Sequence, residues 1–345
     1  MSLPCGSPTV YIDPSYPDSY EDRLFDLSDP SLNRDDQLVP FVALRDAFSS
    51  RGIELHTADF LFRQNSGTEL SYYYSFGQQG YRKLRSLSSV VLRAFAIMEP
   101  ALVAKHLYAQ LPELTRTFDA VYVHNTEGDG YSLKGVDRSK LHRLDWPLPY
   151  SHVIEHYWNV RDRQLKLVII NGNHRTCLRR GELYSERIHA VVELAKIDVV
   201  DLYGRGWNDL FSRHSLSWAY VRNRKVLLSV YRGSCRSKYE VLSRYHFALC
   251  IENQSMKGYI TEKMFDCMYA GTIPVYIGAK DVLNYVPADA FVDGRAFKTY
   301  TEMWSFLRSM SQQKSEHIRE AGRSFLSGAS SERFHTSLQR ITGIL

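Results

Sequence analysis

The chain has 345 residues, 44% of them hydrophobic and 23% charged, and a net charge of +5. Its length exceeds what one hydrophobic core usually supports, so two domains are expected, and its composition is that of a globular protein rather than a disordered or fibrous one. The positive charge is mild and spread along the chain, which argues against a nucleic-acid partner. It is compatible with a polyanionic small ligand or with peripheral attachment to an anionic membrane.

The amino terminus and the cysteines indicate in which cellular compartment the protein is expected to work. Residues 1–22 lack the charged-then-apolar pattern of a signal peptide, and no stretch approaches the length of a membrane span. The five Cys residues are odd in number and scattered, without metal-ligand spacing. We therefore expect a protein of the reducing cytoplasm, at work in solution or at the inner face of the membrane.

Strand and helix patterns alternate through the first 160 residues. Continuous apolar runs predict strands at residues 9–12, 53–57, 90–98 and 118–124. Helical spacing predicts helices at residues 39–50 and 101–111. The segment 66–85, rich in Gly, Tyr and Gln, is predicted to be a loop or an irregular helix. The alternation indicates a Rossmann-like α/β domain over residues 1–160.

The second half is more regular and predicts a second Rossmann-like domain over residues 161–345. Strands are predicted at residues 167–170, 199–203, 247–251 and 273–277. Helices are predicted at residues 182–196, 238–245 and 261–270, followed by two or three helices between residues 300 and 345. Two such domains facing across a cleft would bind ligands at the carboxyl ends of their strands.

The run 247–278 carries the most specific chemical pattern. After the buried strand 247–251, Glu252 and Asn253 lie at its carboxyl end, and Gly258 allows the loop to turn. Thr261 suits the N-cap of the following helix. The first turn of such a helix offers backbone N–H groups that bind a diphosphate.

Side chains around this helix start fit the same ligand. Lys263 is unfavourable in a first helical turn unless an anion arrives, which hints at a phosphate. Glu262 can accept hydrogen bonds from ribose hydroxyls, and Tyr259 can stack on or hydrogen-bond a nucleotide. Taken alone, the sequence Thr-Glu-Lys is equally the start of an ordinary capped, solvated helix.

The longer pattern resembles the signature of the α1,3/α1,4-fucosyltransferases, glycosyltransferase family ten, in its bacterial form. The blocks that carry the resemblance are ELYSER at 182–187, DLYGRGW at 201–207, EN at 252–253, GYITEK at 258–263, GTIPV at 271–275 with Gly278, YVP at 285–287 and AFVD at 290–293. The resemblance covers residues 165–297 well and the first half thinly. The start at Met1 favours a bacterial cytoplasmic enzyme over a trimmed Golgi-type domain.

The resemblance implies a GT-B fold and an inverting transfer of fucose from GDP-fucose, without a metal or other cofactor. The acceptor would be a glycan hydroxyl, in α1,3 linkage to N-acetylglucosamine or glucose or in α1,4 linkage. It would bind to the first domain, and the nucleotide sugar to the second. Asn253, Tyr259, Glu262 and Lys263 match nucleotide-contacting positions of the family, and Arg187 matches the basic residue that meets the diphosphate.

Without a metal, only cationic side chains and helix N-termini can stabilise the charge on a departing diphosphate. The fork of the Arg187 guanidinium can bind two phosphate oxygens. Its alternative role is that of a surface partner for Glu186 or Glu182. Lys238 is a weaker candidate of the same kind, and so is Arg205 in a Gly-flanked turn.

Inverting transfer also needs a general base, usually a carboxylate. Glu99 follows the strand 90–98 and is held by Pro100. It resembles the Glu of a Glu-Ser-Pro or Glu-Pro-Pro element in the family's first domain, although here Pro100 is followed by Ala101 and the match is short. Its alternative role is to cap a helix beginning near Ala101. Glu127 and Asp129, in the loop after the next strand, are weaker candidates.

Two other interpretations stay open. The chain could be a GT-B transferase for another GDP- or UDP-linked sugar, since the residues themselves do not identify the sugar. It could also be a catalytically silent glycan- or nucleotide-binding homologue, although the joint presence of Glu99, Arg187, Glu262 and Lys263 argues against this. The oligomeric state cannot be inferred from the sequence.

Overall fold

The computed structural model of the chain describes residues 8–63, 70–174, 181–209 and 217–344. The chain divides into two compact units, a first unit of Met1–Pro149 with Arg333–Leu345 and a second unit of Tyr150–Glu332. No helix in the described residues combines the length and apolar character needed to cross a membrane.

The first unit is built on a parallel sheet. Its strands are β1 (Thr9–Asp13), β2 (Leu55–Thr57), β3 (Ser71–Ser75), β4 (Val90–Ala96), β5 (Ala120–Val123) and β6 (Leu141–Arg143). They pair in the order β2-β1-β3-β4-β5-β6, every neighbouring pair being parallel. Its helices before the second unit are α1 (Val39–Ser49), α2 (Ala58–Arg63), α3 (Tyr81–Leu84), α4 (Lys105–Ala109) and α5 (Leu111–Thr117).

Two predictions for the first unit are wrong. Residues 71–75, within the segment 66–85 predicted to be a loop or an irregular helix, form the strand β3, whereas residues 76–85 do form turns and the short helix α3. Residues 66–69 of that prediction lie outside the described residues. The period-2 pattern is hidden because β3 lies inside the sheet, where the consecutive residues Tyr73 and Tyr74 are both buried. The helix predicted at 101–111 is a turn followed by the separate helices α4 and α5.

The second unit carries a second parallel sheet. Its strands are β7 (Gln164–Ile170), β8 (Val200–Tyr203), β9 (Tyr245–Ile251), β10 (Ile273–Ile277) and β11 (Val292–Asp293). Their order is β11-β10-β9-β7-β8. Its helices are α6 (Glu155–Trp158), α7 (Tyr184–Ala195), α8 (Trp218–Ser229), α9 (Lys238–Leu242), α10 (Glu262–Ala270), α11 (Tyr300–Arg308) and α12 (Gln312–Ser327). All predicted strands of both halves are confirmed, with ends shifted by at most three residues.

The strand order locates the ligand crevice of the second unit. From β7 the chain first adds β8 on one side and then returns to place β9 on the other side of β7. The connections therefore diverge between β7 and β9, and their helices leave a crevice at the carboxyl ends of these two strands. The segments that follow β7 and β9 are the ones expected to contact a ligand.

The last described residues pack on the first unit. They form α13 (Glu332–His335) and α14 (Ser337–Thr342), and Leu338 and Ile341 join the core of that unit. The buried carboxylate of Asp145 accepts hydrogen bonds from Arg333 Nε at 3.1 Å and Arg340 Nη2 at 2.8 Å. The observed division therefore differs from the predicted domains 1–160 and 161–345, because amphipathic spacing does not tell which sheet a helix covers.

Candidate functional site in the second unit

Three polar residues lie where the crevice is expected. Asn171 follows β7 directly, and Glu252 and Asn253 follow β9. Glu252 is fully buried, with its backbone amide bonded to the carbonyl of Ile277 at 3.0 Å. Gly258 has a φ of +72°, which supports the prediction that it lets the following loop turn toward α10.

The start of α10 is fastened to Glu252. The Thr261 hydroxyl donates to the Glu252 carboxylate at 3.0 Å, and the Thr261 amide donates to it at 2.8 Å. Thr261 does occupy the N-cap position, but its hydroxyl makes no capping hydrogen bond to the helix. The prediction that Thr261 is the N-cap residue is confirmed, but its hydroxyl donates to the buried carboxylate instead of accepting from an amide in the first turn of α10.

Lys263 is neutralised inside the protein. Its Nζ lies 3.0 Å from the Glu252 carboxylate, 2.8 Å from the Thr261 hydroxyl and 3.7 Å from Glu262 Oε1. Burial acts to lower the pKa of Lys263, but the two carboxylates outweigh it and raise the pKa. The hint that this cation needs an external anion is therefore wrong, since Glu252 already supplies one.

Glu262 is held ionised. Burial acts to raise the pKa of its carboxyl, but the nearby ammonium groups of Lys263 and Lys238 lower it to about 2. The side chain keeps 31% exposure, so the carboxylate can meet a ligand. An ionised carboxylate only accepts hydrogen bonds, as the predicted contact with ribose hydroxyls requires.

Lys238 is the first residue of α9 and forms an ion pair with Asp266 of α10. Both residues line a small pocket of about 40 Å³ between the strands β7 and β9 and the helices α9 and α10. The other polar lining residues of this pocket are Asn171, Glu262 and Lys263. Arg205 is exposed in the turn after β8.

Arg187, on α7, is a buried cation bonded to neutral oxygens. It is 2% exposed, and its guanidinium donates to the carbonyl of Ile251 at 2.9 Å and to Asn253 Oδ1 at 2.8 Å. Burial lowers its pKa. The alternative of a surface ion pair is wrong, since Glu186 accepts instead from Tyr300 and Glu182 from the amide of Ser185.

Asn253 links Arg187 to Tyr259. Its Oδ1 accepts from Arg187, and its Nδ2 donates to the Tyr259 hydroxyl at 3.3 Å. Tyr259 is 1% exposed, so its ring is covered by protein and offers no open face for stacking on a base. The hydroxyl of Tyr259 therefore acts on the orientation of Asn253, and a direct contact of Tyr259 with a nucleotide stays a prediction.

Asn171 is a candidate that sequence reasoning missed. The residue is 7% exposed, and its Oδ1 has no hydrogen-bond partner among the described residues. Its backbone is fixed, because the amide donates to Tyr203 and the carbonyl accepts from Trp207 Nε1 at 2.6 Å. A buried unpaired amide oxygen is costly without a ligand. Asn171 directly follows β7, one of the two strands between which the chain connections diverge. That position is the sequence signal by which Asn171 could have been identified.

Candidate base in the first unit

Glu99 lies three residues after β4, half-buried, at the carboxyl edge of the first sheet. The backbone carbonyl of Glu99 accepts from the Tyr108 hydroxyl at 3.4 Å. Burial and the charge of Glu99 together raise the pKa values of Tyr108 and Tyr16. The capping alternative is wrong, since residues 101–104 form a turn and α4 begins only at Lys105.

His124, at the end of β5, and the weaker candidates Glu127 and Asp129 lie near Glu99 in the sequence of the first unit. His124 is buried and bonded to the carbonyl of Met98 at 2.8 Å, and burial lowers its pKa to about 4. The amides of Glu127 and Asp129 both donate to Asn125 Oδ1, which shapes the loop after β5. In the part of the chain that the structure describes, no group of three His, Cys, Asp or Glu side chains is arranged to hold a metal ion.

Residues 175–320 match the family model described as glycosyltransferase family 10 (fucosyltransferase), C-terminal domain. A 69-residue segment, 20% of this chain, is 35% identical to an alpha-(1,4)-fucosyltransferase of Arabidopsis thaliana and covers 17% of that protein. An 83-residue segment, 24% of this chain, is 34% identical to the alpha-(1,3)-fucosyltransferase FucT of Helicobacter pylori and also covers 17% of it.

The fold is similar to that of a crystal structure of alpha1,3-fucosyltransferase with GDP. The TM-score is 0.51 at 15% identity, and the likeness covers 99% of this chain and 92% of that chain. This likeness establishes the fold class, two parallel-sheet α/β domains of the GT-B type. The matching segments span only 17% of the length of the two relatives above, so the activity of the chain requires its own argument.

Proposed function

Residues 175–320 of the chain belong to glycosyltransferase family 10, and on that premise we propose that the protein transfers fucose from GDP-fucose to a hydroxyl of a glycan acceptor. The transfer inverts the anomeric carbon and uses no metal. The product linkage is α1,3 to N-acetylglucosamine or glucose, or α1,4. The reaction takes place in the cytoplasm or at the inner face of the membrane.

One observation carries the proposal, the buried guanidinium of Arg187 beside the crevice. Its hydrogen bonds go to the neutral oxygens of Ile251 and Asn253, whereas Lys263 and Lys238 each have a carboxylate partner. A buried cation bonded only to neutral oxygens gains most from an incoming anion. The diphosphate of a nucleotide sugar supplies that anion.

The departing diphosphate is stabilised by groups already in place. As the bond from the fucose anomeric carbon to the β-phosphate oxygen breaks, its electron pair stays on GDP. Arg187, with Lys263 and the positive N-terminal end of α10, offsets this charge. Glu262 accepts from the ribose hydroxyls, and Asn171 contributes its unpaired amide oxygen to the same pocket.

Glu99 of the first unit takes the proton. The acceptor oxygen attacks the anomeric carbon from the side opposite the leaving group, and its proton moves to the Glu99 carboxylate. Support comes from its position at the carboxyl edge of the first sheet, where ligands of such sheets bind. In this scheme the base and the leaving-group contacts belong to different units of the chain.

Thermal shift against GDP, UDP and CDP tests the donor. GDP at ~100 times its Kd is expected to raise the melting temperature by about 5 °C, because a ligand that binds only the native state stabilises it. Stabilisation by UDP alone would replace the fucosyltransferase proposal with that of a UDP-sugar transferase. Binding of GDP without transfer to any galactosyl or N-acetylglucosaminyl acceptor would indicate a silent homologue. Transfer that stops in EDTA would overturn metal independence.

A further inference from the structure

The helix α8 exposes cations and large apolar side chains on one face. Trp218 is 83% exposed, Val221 43% and Val226 36%, and Arg222 and Lys225 are exposed between them. Positions three and four apart lie on the same side of a helix, so these five side chains form one surface, called here the α8 face.

The opposite side of α8 is fixed in the core of the second unit. Tyr220 and Leu227 are fully buried there, and the Ser217 hydroxyl caps the helix by accepting from the amide of Tyr220. The α8 face is therefore held outward by a packed helix.

The charge around α8 is one-sided. Residues 217–239 contain six Lys and Arg residues and no Asp or Glu. The expectation that positive charge is spread along the chain is wrong for this segment. Arg232 and Lys238 form ion pairs with Asp201 and Asp266, but Arg222 and Lys225 form none within the described residues.

We propose that the α8 face binds a bilayer surface rich in anionic lipid headgroups. Basic side chains near such a surface are attracted to it, while Trp and Val enter the boundary between headgroups and acyl chains. The favoured partner is lipid rather than nucleic acid because Trp218, Val221 and Val226 stand among the cations. Val side chains gain from leaving water but offer nothing to a phosphate backbone.

This proposal does not depend on fucosyl transfer. It gives the expected peripheral attachment a defined location within the second unit, distant in sequence from either terminus.

Vesicle cosedimentation tests the α8 face directly. The full chain is expected to bind vesicles of phosphatidylcholine with about 30% phosphatidylglycerol in ~0.1 M salt, to bind pure phosphatidylcholine weakly, and to be released in ~0.5 M salt. R222E/K225E should weaken binding about tenfold or more, since each basic residue contributes separately. W218A should weaken it about fivefold while retaining the salt dependence.

Matched controls separate this surface from general charge. R308E/K314E makes the same charge change on the exposed faces of α11 and α12, and L283A removes another exposed apolar side chain, 57% exposed. These controls should keep wild-type binding, and all variants should keep the wild-type melting temperature. The proposal would be overturned if R308E/K314E lost as much vesicle binding as R222E/K225E, or if R222E/K225E bound vesicles like the wild type. Binding to an RNA oligomer but not to the vesicles would also overturn it.

Discussion

Arg187, Lys263 and Lys238 are three cations around one crevice, and their hydrogen bonds distinguish them. Lys263 and Lys238 are each bonded to a buried carboxylate, whereas Arg187 is bonded to a carbonyl and a side-chain amide. Both lysine charges are already offset in the free protein. The charge of Arg187 is the one with most to gain from a diphosphate, because its hydrogen bonds go to neutral oxygens and its guanidinium lies over the Tyr184 ring rather than against a carboxylate.

Asn171 and Asn173 form a natural pair for a test at the residue scale. Asn171→Ala should weaken GDP binding about fivefold or more and leave the melting temperature of the free protein unchanged or higher, because it removes an unpaired buried oxygen. Asn173→Ala should lower the melting temperature with little effect on GDP, since Asn173 Nδ2 bonds the carbonyl of Gly206 at 3.1 Å. Calorimetric titration and thermal melting of both variants measure this. Equal GDP affinities would remove Asn171 from the site.

Glu99→Gln tests the base. It keeps the shape of the side chain but cannot take a proton at neutral pH, so kcat should fall about a hundredfold or more while GDP affinity stays within about twofold. Glu113→Gln is the control, a half-exposed carboxylate of the same unit with only distant Arg partners. Loss of GDP affinity in Glu99→Gln would assign Glu99 to the nucleotide, and a large loss in Glu127→Gln instead would move the base to the next loop.

At the scale of elements, the start of α10 is organised by one buried carboxylate. Glu252 binds Thr261 and Lys263, and Gly278 of the neighbouring segment must be a glycine for Glu252 to fit. A Cβ on Gly278 would lie 2.6 Å from Glu252 Cγ and 2.3 Å from the Tyr276 hydroxyl. The glycine at position 278 is therefore explained by its close packing against Glu252 and Tyr276.

A double-mutant cycle tests this organisation. Glu252→Gln should lower the free energy of unfolding by about 3 kcal/mol, because it leaves Lys263 charged and buried without its partner. Glu252→Gln with Lys263→Met should lower it by less, with a coupling of about 1–2 kcal/mol. Denaturant titrations measure both.

The half-exposed pair of Glu240 on α9 and Arg244, two residues after that helix, is the matched control. Glu240→Gln should change the free energy of unfolding by less than ~0.5 kcal/mol, because water already solvates both groups. Additive losses in the Glu252 and Lys263 cycle would contradict the role of Glu252 as the partner that holds Lys263 in place.

At the scale of the whole molecule, Asp145 ties the carboxyl-terminal helices to the first unit. Burial acts to raise the pKa of Asp145, but Arg143, Arg340 and Arg333 outweigh it and lower the pKa below 3.8. A carboxyl whose pKa is lower in the folded state adds stability that is fully present above its unfolded pKa. That stability disappears as the pH falls through the folded pKa.

Asp145→Asn should therefore destabilise the first unit most at neutral pH. The free energy of unfolding is expected to fall by about 3 kcal/mol near pH 7. This value is at the low end of the range for breaking a buried ion pair, because the arginines keep some contact with water. The difference from the wild type should shrink as the pH falls below about 4. Thermal melting from pH 7 to pH 3 measures it, and a difference independent of pH would show that the carboxylate charge is not what holds these helices.

The secondary-structure elements and the turn before α10 could be predicted from the sequence. The alternating strands and helices, the left-handed Gly258 and the block around Glu262 and Lys263 depend on local periodicity and residue type, which a linear chain displays. The fold class and the match of residues 175–320 to the family model were predictable for the same reason, because the blocks that carry the resemblance are local patterns of residues.

Which charges are already paired could be seen only in the tertiary structure. Lys263 is paired with Glu252, and Lys238 with Asp266. Asn171 Oδ1 has no partner among the described residues. Residues 333–345 belong to the first unit, although they follow the second unit in the sequence. Such contacts connect residues distant along the chain, and strand order rather than local pattern brings them together. These contacts determine whether a buried cation is already neutralised or can still gain stability from an anionic ligand. The reason is that the energy of a buried charge is set by its neighbours in space.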